Sequence, residues 1–140
     1  MDNLKLMYEV TEGDMARAGE ASSAVKQTLR KMGFDSDTIR RVSVCMYEGE
    51  INMVIHAHGG TATVDIGLDE ITIVLQDVGP GIPDVSKAMQ EGFSTAGDHA
   101  RNLGFGAGMG LPNMKKYSDR MTVDTTLGVG TTVTMVIQIP

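Results

Sequence analysis

The sequence has a single cysteine, Cys45, in 140 residues, so no internal disulfide can form and a disulfide-stapled scaffold is excluded. That thiol lies in an apolar stretch and reads as a small core residue rather than a nucleophile. No apolar run approaches the ~20 residues of a membrane-spanning helix. Met1-Asp2-Asn3 opens with neither a basic segment nor an apolar core, which speaks against a signal peptide. These absences set the expectation of a cytoplasmic protein with no membrane partner. Basic excess is lacking too: 12 Lys and Arg against 18 Asp and Glu leave a net charge of −6. Nucleic-acid binding in general needs a basic footprint, so no nucleic-acid partner is expected. No repeat, low-complexity tract or linker divides the chain, and its length suits one domain over residues 1–140. What is present is ordinary for a soluble globular protein, 41% hydrophobic and 21% charged, except for 17 glycines whose placement carries the argument.

Lys5–Val10 alternates weakly, as an edge strand does. Asp14 is placed to cap a helix through Ala18, Ala21, Val25 and Leu29 to Met32, with Gly33 as terminator. A second helix starts at Asp35 or Ser36, with Ile39, Val42, Met46, Gly49 and Met53 as its packed face, and ends at Gly59-Gly60. Thr61–Leu68 and Ile71–Gln76 read as an antiparallel hairpin. After the irregular run Asp77–Pro83, Asp84–Gln90 suits a short helix. Glycines then recur at 92, 97, 104, 106 and 108, in a loop long enough to be functional. A helix from Met109 through Tyr117 precedes the strands Met121–Thr126 and Thr131–Ile139. This order predicts an α+β fold: a two-layer sandwich with a mainly antiparallel sheet and helices on one face. Strands are not alternated with helices, so a doubly wound parallel sheet fits poorly.

Three places can carry chemistry. Glu48 and Asn52 stand four apart on the second helix and share a face that His56 extends. The Asn52 amide oxygen is a hard neutral ligand suited to Mg²⁺, and Glu48 can take a proton from a hydroxyl or water. Taken alone, the pair also fits a solvated polar face; Glu50 points elsewhere and is expected to be solvated. Asp77-Val78-Gly79-Pro80-Gly81 follows a strand; its Asp can accept from an exocyclic amine, or simply form the turn. Gly104 through Gly110, then Leu111, comes just before a helix, where successive amides and absent side chains let phosphates approach. A mobile linker has similar composition. No Gly-Lys-Ser/Thr follows, so this is not a Walker loop.

In this order and spacing the motifs resemble the ATPase superfamily shared by histidine kinases, gyrase, Hsp90 and MutL. The matching elements are Glu48…Asn52, Asp77-Val78-Gly79-Pro80-Gly81, Gly106-Ala107-Gly108-Met109-Gly110-Leu111 and Gly130-Thr131, spanning residues 35–140. Within it, Glu48…Asn52…His56-Ala57 is most similar to the bacterial anti-sigma factor serine/threonine kinases. The resemblance implies a Bergerat-type fold that binds ATP and Mg²⁺. It makes Glu48 the catalytic base and Asn52 the Mg²⁺ ligand, and gives Asp77 the adenine amine. Gly79 and Gly81 would shape the purine pocket, Gly104, Gly106, Gly108 and Gly110 with Leu111 the phosphate cradle, and Thr131 would support Asp77. Such kinases phosphorylate a serine or threonine of a small anti-anti-sigma partner, and many bind a sigma factor and form homodimers. At one position the chain departs: those kinases often have an arginine before the last Gly-Met-Gly, where this chain has Gly106-Ala107 and the nearest arginine is Arg101.

The expected function is therefore a regulatory kinase transferring the ATP γ-phosphate to a partner's Ser or Thr. Two alternatives stand beside it: a non-catalytic nucleotide-sensing module, and a histidine-kinase-type catalytic domain. The latter usually has Asn at position 48.

Overall fold

The computed structural model describes residues 3–90 and 110–140, and the side chains of all of these except Met15 and His56. In chain order the elements are β1 (Leu4–Val10), a 3₁₀ turn (Met15–Arg17), α1 (Glu20–Met32), α2 (Ser36–His56), β2 (Gly60–Ile66), β3 (Glu70–Asp77), α3 (Val85–Ala88), α4 (Gly110–Tyr117), β4 (Arg120–Thr126) and β5 (Gly130–Gln138). The five strands form one sheet in the order β1-β2-β3-β5-β4, and every pairing is antiparallel. Strand β1 is an edge, as its weak alternation predicts. Strands β2, β3 and β5 alternate buried and half-buried residues, so one face of the sheet is the floor of the core. Val64, Ile71, Ile73, Met135 and Ile137 are fully buried there, beneath Val25 and Leu29 of α1, Val42 and Met46 of α2, and Met114 of α4.

Helix α2 is the longest element, and Asp35 caps it by accepting the Thr38 amide at 3.1 Å. Its packed face is the one its spacing predicts, with Ile39, Val42, Met46, Gly49 and Met53 all buried. At Gly49 the helix comes so near β3 that an added methyl would overlap Leu75. Gly33 ends α1 in the left-handed conformation, its amide donating to Arg30 O and that of Phe34 to Leu29 O.

Two expectations need correction here. Asp14 does not cap α1: its carbonyl accepts the Arg17 amide and opens the 3₁₀ turn, and α1 begins only at Glu20. Gly19, at φ 98°, separates the two because a helix cannot continue through that backbone conformation. Nor is Glu50 solvated. It is 3% exposed, and its two carboxylate oxygens accept the amides of Ala21 (3.2 Å) and Ser22 (3.1 Å). Gly19 provides no side-chain cap, so a carboxylate from α2 meets amides that the first turn of α1 leaves open, where the helix dipole also favours negative charge. Glu50→Ala leaves both amides buried without a partner and should lower unfolding stability by about 1–3 kcal/mol. Glu50→Gln, which keeps an acceptor oxygen, should cost less; urea unfolding midpoints that rank the two the other way would refute this cap.

Candidate functional site

Glu48 and Asn52 project from the side of α2 that faces α4. The Asn113 side-chain amide donates to Glu48 Oε1 at 3.3 Å, which orients the carboxylate and leaves its other oxygen without a partner among the described residues. One turn further along, the Asn52 amide lies against the first residue of α4. A methyl at Gly110 would stand 2.9 Å from both its nitrogen and its oxygen and would push the amide aside. The Asn52 amide itself has no hydrogen-bond partner among the described residues.

The second part of the site is built at the end of β3. Thr131 donates its backbone N–H to Asp77 Oδ1 at 2.8 Å, and the other oxygen has no hydrogen-bond partner among the described residues. Thr131 thus supports Asp77 through its amide; its hydroxyl lies 2.9 Å from that of Thr125, which accepts the Ile82 amide at 2.9 Å. A side chain at Gly130 would strike the Asp77 carbonyl oxygen, which explains glycine before that threonine. Gly79 packs on Ala57, where a methyl would come within 3.1 Å of its Cα, and its amide donates to Val129 O. Gly81, at φ 80°, turns back over Thr126. The Asp77–Gly81 segment is therefore clamped between the end of α2 and the β4–β5 turn, with His58 N–H donating to Val78 O at 2.6 Å and Gly128 N–H to Pro80 O at 2.9 Å.

Of the residues expected from sequence, Glu48, Asn52, Gly110 and Leu111 meet at the α2–α4 contact, with Leu111 buried beneath it. Asp77, Gly79, Gly81 and Thr131 meet at the end of β3, beyond the C-terminal end of α2. Gly104, Gly106, Gly108 and Arg101 lie outside the described residues. Asn113 and Thr125 were not anticipated. Asn113 has one signal in the sequence, its position three residues after Gly110 on α4, whereas Thr125 reads only as a strand former. Cys45 is fully buried, and burial pushes its thiol up to about 12, in keeping with a packing role.

A model of the histidine kinase-like ATPase domain matches residues 11–137. The chain belongs to that family. It is similar to serine/threonine-protein kinase RsbT of Bacillus subtilis (strain 168), at 29% identity over 94% of this chain and 93% of that protein. It is 36% identical to the anti-sigma F factor of Caldanaerobacter subterraneus subsp. tengcongensis, over 71% of this chain and 69% of that protein. With the anti-sigma F factor of Clostridium acetobutylicum it shares 30% identity over 94% and 89%. The α+β fold, the kinase-like ATPase class and ATP use read from the motifs are thereby borne out. Among the described residues no helix is long and apolar enough to cross a membrane.

Burial raises the Asp77 carboxyl above the ordinary aspartate range, with the Thr131 amide opposing it in part. The folded protein thus holds the Asp77 proton more tightly than the unfolded chain does. That contribution to stability is complete below the unfolded pKa of about 4 and is lost as pH rises through the folded value. At neutral pH the buried charge counts against stability. Asp77→Asn, which retains an acceptor for Thr131, should raise the thermal midpoint at pH 7, with the gain fading toward about pH 3. A gain equal at both pH values would place the effect elsewhere than in the carboxylate charge.

Proposed function

We propose that this protein is an ATP-dependent serine/threonine kinase that phosphorylates a small anti-anti-sigma-like partner, and that it works with Mg²⁺ in the cytoplasm. The observation that carries the reading is the oriented carboxylate: Glu48, held by Asn113, stands one helical turn from the open Asn52 amide at the start of α4. The residues suit a nucleotide. Asp77 Oδ2 is free to accept the adenine amine, and Gly79 and Gly130 let the chain itself close tightly around that carboxylate. Gly110 begins a helix whose first amides favour phosphate.

No group of three or more His, Cys, Asp or Glu converges among the described residues. Mg²⁺ would be held by the neutral Asn52 oxygen together with oxygens that the nucleotide brings. Bound Mg-ATP supplies the phosphoryl group and the charge neutralisation that its transfer needs. Glu48 takes the proton of the partner's hydroxyl as that oxygen bonds to phosphorus and the bond to ADP breaks. Asp77 and the clamped 77–81 segment fix the base, and so the distance between the phosphates and Glu48. A sigma factor as a second partner, and a homodimer as the working form, belong to the same reading; they draw support from relatives named anti-sigma F factor and from the resemblance.

Glu48→Ala should lower phosphoryl transfer by about 10²–10⁴-fold while ATP affinity changes little. The check is labelled γ-phosphate ATP for transfer and equilibrium dialysis for binding. Parallel loss of both would show that Glu48 holds the nucleotide rather than the proton.

A further inference from the structure

Along the outer side of the helical layer, α1 and α2 leave an open groove of about 430 Å³. Its floor is a stripe of α2 at three- and four-residue spacing: Ile39, Ser43 and Val44, Tyr47 and finally Glu48. Lys26 and Arg30 of α1 line the other wall, and Arg40 of α2 completes a set of three cations. In a chain of net charge −6 this is a local reversal of sign. Lys26 and Arg30 have no ionic partner among the described residues. Arg40 pairs with Asp37 at 3.3 Å, both side chains 63% exposed, and its guanidinium lies 5.5 Å from the centre of the Tyr117 ring; exposed contacts of this kind contribute little and exchange readily. Tyr47 is 40% exposed in the middle of the groove, backed by Gly19. An exposed aromatic beside arginines has the composition of an anchoring point in a protein interface.

We infer that this groove docks an acidic segment of the protein substrate and delivers its hydroxyl to Glu48. This rests on the kinase reading above and adds to it the chemistry of the partner. The length of the groove makes the inference quantitative. Arg40 and Glu48 are eight residues apart on α2, or about 12 Å along the axis. An extended peptide covers that distance in about four residues. The acceptor serine or threonine therefore has carboxylates about three to five positions away. Charge attraction brings the segment in, the aromatic ring of Tyr47 packs on it, and the hydroxyl arrives beside the oriented base.

The test uses fluorescently labelled peptides with one serine and a glutamate block starting about four residues to either side. Neutral glutamine versions serve as controls. Fluorescence anisotropy on the whole protein should show tighter binding of an acidic peptide than of its neutral control, weakening as salt is raised. The K26E/R30E variant should bind it about tenfold less tightly or worse, and K26Q/R30Q by an intermediate amount. Thermal midpoint and ATP affinity should be unchanged in both. Equal binding of acidic and neutral peptides, or no effect of either variant, would overturn the docking assignment. So would parallel loss of ATP affinity, which would make the groove a phosphate site, or displacement of peptide as protein concentration rises, which would make a second copy its occupant. A peptide that binds as expected but is never phosphorylated, at either spacing, overturns delivery of the hydroxyl to Glu48 or the kinase reading itself, and leaves only the docking of acidic segments standing.

Discussion

Helix α2 packs against the sheet at Gly49, which has no side chain to hold it away from Leu75. The directions of the two carboxylates beside it follow from this contact. Successive residues of a helix turn by about 100°, so with Gly49 facing down, its neighbours Glu48 and Glu50 must point to opposite sides. One side is met by α4, where Asn113 holds Glu48 and Gly110 rests on Asn52. The other is met by α1, whose first amides close on Glu50. Two carboxylates on one turn thus have unlike surroundings: Glu50 joins two helices in the core, and Glu48 keeps an oxygen without a partner among the described residues.

A similar economy governs the end of β3. The antiparallel register that pairs Gln76 with Thr132 brings Asp77 level with the Thr131 amide. The strand pairing that builds the sheet also orients the carboxylate. Gly130 lets the two backbones meet, and the Thr125–Thr131 hydroxyl contact with the Ile82 amide ties the following loop to β4 and β5. Desolvation of Asp77 is the cost of this arrangement, since a half-buried carboxylate with a single amide donor favours its protonated form.

Local spacing made much of this legible in the sequence. Glu48 and Asn52 share a face because four residues make one turn, and Asp77 with its glycines marks the end of a strand whatever surrounds it. The buried stripe of α2 and the left-handed stop at Gly33 were readable for the same reason. Glu50 was not, because its partners lie 28 and 29 residues earlier in the chain, and only the packing of α1 on α2 reveals them. Asn113 is 65 residues from Glu48, and Thr125 acts through a loop 43 residues away. Gly19 also misled: without knowledge of its positive φ, Asp14 is the better helix start by composition.

Helix α4 is anchored by the same α2 that carries Glu48 and Asn52. At the far end of α4, Arg41 of α2 donates to the Tyr117 carbonyl at 3.1 Å and to Asp119 Oδ2 at 2.9 Å. A guanidinium suits that position, because the last carbonyls of a helix lack internal partners and carry partial negative charge. Asp119 in turn accepts the Gln138 amide at 2.7 Å, and this bond, with Arg41, holds its carboxyl below the usual range. One end of α4 is thereby tied to α2 and β5, and the other rests on Asn52. The first turn of α4 is then positioned relative to Glu48 by helix contacts at both ends of α4. The separation between the first turn of α4 and the carboxylate of Glu48 is thus set by the packing of α4 on α2.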